Sequence, residues 1–179
     1  LEQQAMKWGA GKWGAGRCGL FPLGMAVALL AMALDQASKQ WLLYGKGLIG
    51  GRAYEVLPFF NLVMVWNHGV SFGLFASGSD NTRITLLLIA GLISIILIWA
   101  MVRTQVRFLA VAMGLVLGGA VGNMIDRVRF GAVADFFDVH AWGYHWPAFN
   151  VADSCIVVGV ALMLFDSIFL EPKRKRPVV

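Results

Sequence analysis

The chain is short of charge: only 14% of its 179 residues are Asp, Glu, Lys or Arg. Soluble domains carry about 25%, so most of this surface is not built to meet water. Cysteine is scarce as well. Cys18 and Cys155 are the only two, too few for a disulfide framework. Cys18 precedes the first apolar stretch and Cys155 lies inside the last, where packing is the ordinary role of a thiol and a cysteine nucleophile is disfavoured. Histidine is limited to His68, His140 and His145, and none stands in the His-Glu-x-x-His spacing of a helical zinc protease. No ligand set at metal spacing appears, so neither a metal nor another cofactor is expected.

What is present instead is apolar material, at 59% of residues and a mean hydropathy of +0.70. The excess over the roughly 45–50% of soluble proteins must face lipid. Four stretches carry it. The first covers 20–34 and continues as a helix through Asp35 and Lys39 to about Tyr44; the others are 84–102, 108–125 and 150–170. A bilayer crossing needs about 20 mainly apolar residues. The expected fold class is therefore an all-α integral membrane protein with four transmembrane helices. Domain organisation follows: a basic Gly/Trp-rich tail over 1–19, a membrane domain over 20–170 and a basic tail over 171–179.

The net charge of +5 would suggest nucleic acid in a soluble protein. Here it reports topology, and no nucleic-acid partner is expected. Lys7, Lys12 and Arg17, then Arg103 and Arg107, then Lys173, Arg174, Lys175 and Arg176 all fall on one side of the four spans. The positive-inside rule makes that side cytoplasmic, with both termini inside. Basic residues before an apolar stretch ending in Ala31-Met32-Ala33 also resemble a cleaved secretory signal. That reading is set aside because the polar residues just beyond it belong to a larger pattern. The tail repeats Lys-Trp-Gly-Ala-Gly at 7–11 and 12–16, as a segment lying loosely on a membrane surface would.

Between the first two spans, residues 53–66 are rich in Val, Phe and Tyr around Pro58, which predicts two short strands about a bend. Residues 77–81 read as a turn leading to a helix cap. The stretch 126–149 reads as a second outer loop, with Trp142, Tyr144 and Trp146 at interfacial depth. In the third span, Gly114, Gly118 and Gly122 form a smooth ridge that admits a neighbouring helix closely.

Polar residues converge on the outer ends of the spans. Asp35 and Lys39 sit there on the first, Asn123, Asp126 and Arg127 on the third, and Asn150 and Asp153 on the fourth; Asn67 and Asp135 lie in the joining loops. A charge deep in a bilayer costs about 2.5–3.5 kcal/mol on insertion scales, so such groups usually persist for function. Asp35 and Lys39, spaced i,i+4, suit a supporting ion pair, and Asp126 and Arg127 suit a tie between loop and helix. Asp135 and Asp153 have no cationic neighbour in sequence. Two carboxylates forced together cannot both ionise easily, and such a pair supplies an acid and a base at once. A transporter is the rival from another class, but spans two and three lack charge and the two halves show no repeat.

Five segments occur in order: Asp35-Gln36-Ala37-Ser38-Lys39, Asn67-His68-Gly69-Val70-Ser71-Phe72, Gly122-Asn123-Met124-Ile125-Asp126-Arg127, Val133-Ala134-Asp135-Phe136 and Phe149-Asn150-Val151-Ala152-Asp153-Ser154. Together, over about residues 20–170, they closely resemble the lipoprotein signal peptidase family, also called signal peptidase II. Met124 stands where Leu is usual. The resemblance implies four helices with a small extracytoplasmic sheet and catalytic aspartates at Asp135 and Asp153. It implies that Asp35, Lys39, Asn67, Gly69, Asn123, Asp126, Arg127 and Asn150 bind substrate or brace the site. It further implies a diacylglyceryl-modified prolipoprotein as substrate, cleaved before its lipidated cysteine in the bacterial inner membrane, with membrane lipids around it and no obligate protein partner.

Overall fold

A computed structural model describes residues 19–48, 53–69 and 80–174. The basic tail with Lys7, Lys12, Arg17 and Cys18, Arg52, the segment 70–79, and Lys175 and Arg176 lie outside the described residues.

Four helices among the described residues are long and apolar enough to cross a membrane. Helix α1 (Phe21–Gln40) begins with Pro22 in its first turn, where the missing N–H costs nothing, and runs on through a π-helical turn, Trp41–Gly45. Helix α2 spans Asp80–Arg103. Helix α3 (Arg107–Phe130) ends at Gly131, whose φ of 76° is the left-handed C-terminal cap that glycine adopts without strain. Helix α4 (Val151–Phe165) continues through the π-helical turn Asp166–Leu170 to Arg174. Near that end Asp166 is buried and held by Arg174 at 2.6 Å.

The central element is α3, the most buried of the four spans. In lipid, helices associate through close van der Waals contact rather than apolar burial, so small residues make the interfaces. Gly114 lies against Gly24 and Val27, Gly118 against Ala28 and Ala31, and Gly122 against Asp35, all on α1. On another face Gly119 meets Ala152 and Ile156 of α4, and Gly159 of α4 returns the contact at Ala112 and Val116. The glycine ridge is thus a packing surface, and α3 carries two of them. Helix α2 packs mainly on α3 and leaves Leu88, Leu92, Ile95 and Trp99 exposed, as lipid-facing residues are.

The segments joining α1 to α2 and α3 to α4 form one antiparallel four-stranded sheet in the order β1-β2-β3-β4. Its strands are β1 (Tyr54–Leu57), β2 (Phe60–Asn67), β3 (Val133–Ala141) and β4 (Tyr144–His145). The strand–bend–strand expected around Pro58 is present as β1 and β2. The expected loop at 126–149 is not a loop. Helix α3 runs on to Phe130, and nine residues then form β3. Asp135 therefore stands on a strand, opposite Val65, and Asn67 is the last residue of β2 rather than a loop residue. Strand β3 escapes the sequence reading because its first four residues are all buried, which removes the period-two alternation that marks a half-exposed strand.

Candidate functional site

Two carboxylate pairs occupy the end of the bundle that carries the sheet, one built on the other. The lower pair is Asp35 of α1 and Asp126 of α3, both fully shielded from solvent. Lys39, 1% exposed, lies between them, with its ammonium 2.8 Å from Asp35 and 2.7 Å from Asp126. Its third partner is the side-chain oxygen of Asn123 at 3.3 Å. An ammonium has three hydrogens, so Lys39 is saturated. The remaining carboxylate capacity is filled by four bonds from three donor groups. Gln36 donates to Asp126 at 2.9 Å and to Asp35 at 3.2 Å. The backbone N–H of Ala152 donates to Asp35 at 3.0 Å, and that of Ala134 to Asp126 at 3.2 Å. One charged cluster therefore ties α1, α3, α4 and the start of β3 together.

The upper pair is Asp135 of β3 and Asp153 of α4. Asn150, the residue that caps α4, joins the two. Its side-chain oxygen accepts from the Asp153 backbone at 2.9 Å, and Asp153 accepts from the Asn150 backbone at 3.2 Å, forming a reciprocal capping box. Its side-chain amide donates to Asp135 at 2.7 Å. Asn67 donates to the other Asp135 oxygen at 3.0 Å. Asn123 donates to Asp153 at 2.8 Å. Because the Asn123 oxygen faces Lys39, its NH₂ must face Asp153, so the lower cluster orients a donor of the upper one.

Asp135 is 1% exposed and Asp153 half-buried. Burial first, and the neighbouring charge of Asp153 second, push the Asp135 carboxyl up to about 7, against the downward pull of its bonds from Asn67 and Asn150. Asp153 sits in the first turn of α4, where the helix dipole favours a negative charge. Arg127 interacts electrostatically with Asp153 and Asp135 and donates at 2.9 Å to the carbonyl of Gly69. Gly69 in turn donates its N–H to Asn67 at 3.0 Å.

All ten site residues expected from sequence thus belong to one connected region, in two tiers. Sequence reasoning had left Gln36 without a role, and it had not anticipated the backbone donors of Ala134 and Ala152. The glutamine was visible in the first motif, but backbone donors leave no mark in side-chain spacing. No group of three or more His, Cys, Asp or Glu side chains converges at metal distance among the described residues.

Two cavities meet at Asp153. One of about 350 Å³ opens between α2 and α4, floored by Val116, Ala120 and Asn123 of α3 and reaching Asn67 and Arg127. The other, about 440 Å³, is bounded by Trp146, Pro147, Phe149, Val157 and Val158. Both are predominantly apolar, with few polar groups placed among them, as ligand sites usually are.

Four membrane-length helices, capped by a sheet and enclosing an ionisable pair in an apolar cleft, define an integral membrane enzyme. Residues 27–169 match the family model of signal peptidase (SPase) II. Among relatives, a lipoprotein signal peptidase of Rhodopseudomonas palustris is 42% identical over 159 residues, covering 87% of this chain and 97% of that one. A lipoprotein signal peptidase of Methylorubrum extorquens is 44% identical over 155 residues, covering 86% and 90%. A solved bacterial membrane enzyme, determined by the in meso method at 2.3 Å resolution, superposes with a TM-score of 0.72 at 31% identity, covering 88% of this chain and 95% of that one. The chain belongs to the signal peptidase II family and is a membrane protease.

Proposed function

We propose that Asp135 and Asp153 are the catalytic pair with which this protease removes signal peptides from prolipoproteins. The observation that carries the assignment is the contrast in partners. Asp35 and Asp126 are ion-paired to a shared ammonium, whereas Asp135 and Asp153 accept hydrogen bonds only from uncharged donors, with Arg127 acting on them electrostatically, and Asp153 lines both cavities.

Their surroundings favour distinct roles. Asp153, half-exposed at a helix N-terminus, is the resting carboxylate and takes a proton from the attacking water. Asp135, buried and raised to about 7, holds its proton and donates it to the scissile carbonyl oxygen. The tetrahedral adduct then collapses: Asp153 passes its proton to the departing nitrogen and Asp135 recovers the proton it lent. Asn67 and Arg127, both lining the α2–α4 cleft, orient the peptide. Asp35, Lys39, Asn123, Asp126 and Asn150 hold the pair in place, and Gly69 fixes Asn67 and Arg127.

The substrate is a precursor whose cysteine carries diacylglyceryl. A cleft open sideways between α2 and α4 admits a signal helix from within the lipid, and the apolar walls beside Asp153 suit acyl chains, each buried methylene of which is worth about 0.8 kcal/mol. The enzyme resides in the bacterial inner membrane, with 1–19 and 171–179 as cytoplasmic tails and the aspartate pair toward the outer face. The excess of Lys and Arg at both termini and at Arg103 and Arg107 supports that orientation. The test is cleavage of one precursor with and without its diacylglyceryl group at matched detergent concentration. Rapid cleavage only of the lipidated form is expected; equal rates overturn the lipid requirement.

A further inference from the structure

The outer sheet holds a second cluster of titratable side chains, remote from Lys39 and absent from the chemistry above. His145, on the two-residue strand β4, places its Nδ1 2.8 and 3.0 Å from the two oxygens of Asp138 on β3. Asn61 of β2 donates to Asp138 at 3.2 Å, and the His140 ring stacks on that of His145 with centroids 4.8 Å apart. Burial raises the Asp138 carboxyl, but the bonds from His145 and Asn61 outweigh it and hold Asp138 below the usual range. The imidazole Nδ1 therefore donates to a carboxylate, a charge-assisted bond stronger than a neutral one.

The hairpin that this contact closes is short, and one backbone bond, from the Trp146 N–H to the Val139 carbonyl at 2.8 Å, extends it. Only two residue pairs join β3 to β4, and a ladder that short is marginal. The connecting residues are Trp142 and Gly143, with φ of 51° and 79°. A two-residue turn of that hand favours Asn-Gly, and a bulky side chain in the left-handed region is disfavoured. The hairpin thus stands with a strained tip, and the His145–Asp138 bond is the charge-assisted side-chain tie across it.

The chain that leaves β4 is the outer wall of the catalytic cleft. Trp146, Pro147 and Ala148 face the 440 Å³ cavity that contains Asp153 and, on their other side, a cavity of about 410 Å³ lined by Asp138, His145, Val63 and Val65. One residue further on, Phe149 is bound to β3 by backbone bonds of 2.8 and 3.2 Å with Phe137. That bridge secures Asn150, and hence the aspartate pair, independently of the hairpin.

We propose that Asp138 and His145, braced by Asn61, are positioning residues: their clasp holds the 146–148 strap as the wall against which substrate is bound beside Asp153. The inference rests on the reading of Asp135 and Asp153 as the catalytic pair. Because Phe149 anchors the far end, releasing the clasp loosens the wall and leaves the aspartates in register.

The experiment measures KM and kcat for the full chain on a lipidated precursor in detergent. His145→Ala and Asp138→Ala each raise KM about fivefold, the equivalent of one lost hydrogen bond, with kcat within about twofold of the parent. His145→Asn, which keeps an N–H donor near the Nδ1 position, restores KM. Should an alanine variant fail to fold, Asp138→Asn, which keeps an acceptor but removes the charge, raises KM about twofold. An unchanged KM in the alanine variants overturns the proposal. So does an equal fall in kcat and kcat/KM, or a KM in His145→Asn as high as in His145→Ala. Failure of the underlying assignment is seen separately, as undiminished turnover by Asp153→Asn.

Discussion

Asp35 and Asp126, and Asp135 and Asp153, are four carboxylates at the same end of the helix bundle, and the two pairs differ in their direct partners. The first two share an ammonium inside the bundle and have their remaining oxygens filled by Gln36 and two backbone N–H groups. The second two receive bonds only from uncharged asparagine side chains and a backbone N–H. An opposite charge in direct contact favours the ionised carboxylate, and a second carboxylate nearby favours the protonated one. Lys39 contacts the first pair directly, and Asn123 touches both pairs: its oxygen accepts from Lys39 and its NH₂ donates to Asp153.

Breaking the upper pair has the largest expected effect. Asp135→Asn and Asp153→Asn each lower cleavage by about 10²–10⁴-fold or more, the range of a lost acid or base, while the protein still inserts in the membrane. Normal turnover of either purified variant removes that residue from the pair. Breaking the lower pair acts on stability instead. Lys39→Met strands two buried carboxylates and costs about 3–5 kcal/mol, read as a lowered unfolding midpoint in detergent. A folded, fully stable Lys39→Met protein would dissolve the distinction between the two tiers.

Gly122→Ala tests the contact between α1 and α3 beside the charged cluster, since an added Cβ falls 2.6 Å from the Asp35 carboxylate. That displacement is expected to cost about 1–3 kcal/mol, the range for overpacking. Gly91→Ala on lipid-facing α2, whose added Cβ meets nothing within 4 Å, serves as the silent control in the same unfolding measurement. The smallest effect is the pH dependence. With Asp135 raised to about 7, turnover falls as pH rises through that value and the acid loses its proton. Stability follows the same sign: the folded carboxyl binds its proton more tightly than the unfolded one, so its contribution declines from the ordinary carboxylate range up to about pH 7. A kcat that stays flat to well above pH 8 would reassign the acid.

Much of this was legible in residue order. Four apolar stretches of bilayer length announce a membrane protein whatever its fold, because a lipid-facing helix has no other composition open to it. The glycine ridge of α3 was visible at its four-residue spacing, and the Asp35–Lys39 pair at i,i+4. The nine polar residues and Gly69 that the structure brings into one region stand in the five motifs. Strand β3 was not found, since a strand buried on both faces carries no alternation, and Asp135 was left in a loop for that reason.

Composition and spacing by themselves determined that the chain crosses a membrane, how many helices do so and which polar side chains stand near their ends, because hydrophobic length and helical period are local properties. Which carboxylates share an ammonium was decided only in three dimensions. Lys39 is four residues from Asp35 but eighty-seven from Asp126, and the glycine contacts between α1 and α3 bring it to both. Asp35 and Asp126 differ from Asp135 and Asp153 in sharing an ion-paired ammonium, and that neighbour is supplied by packing.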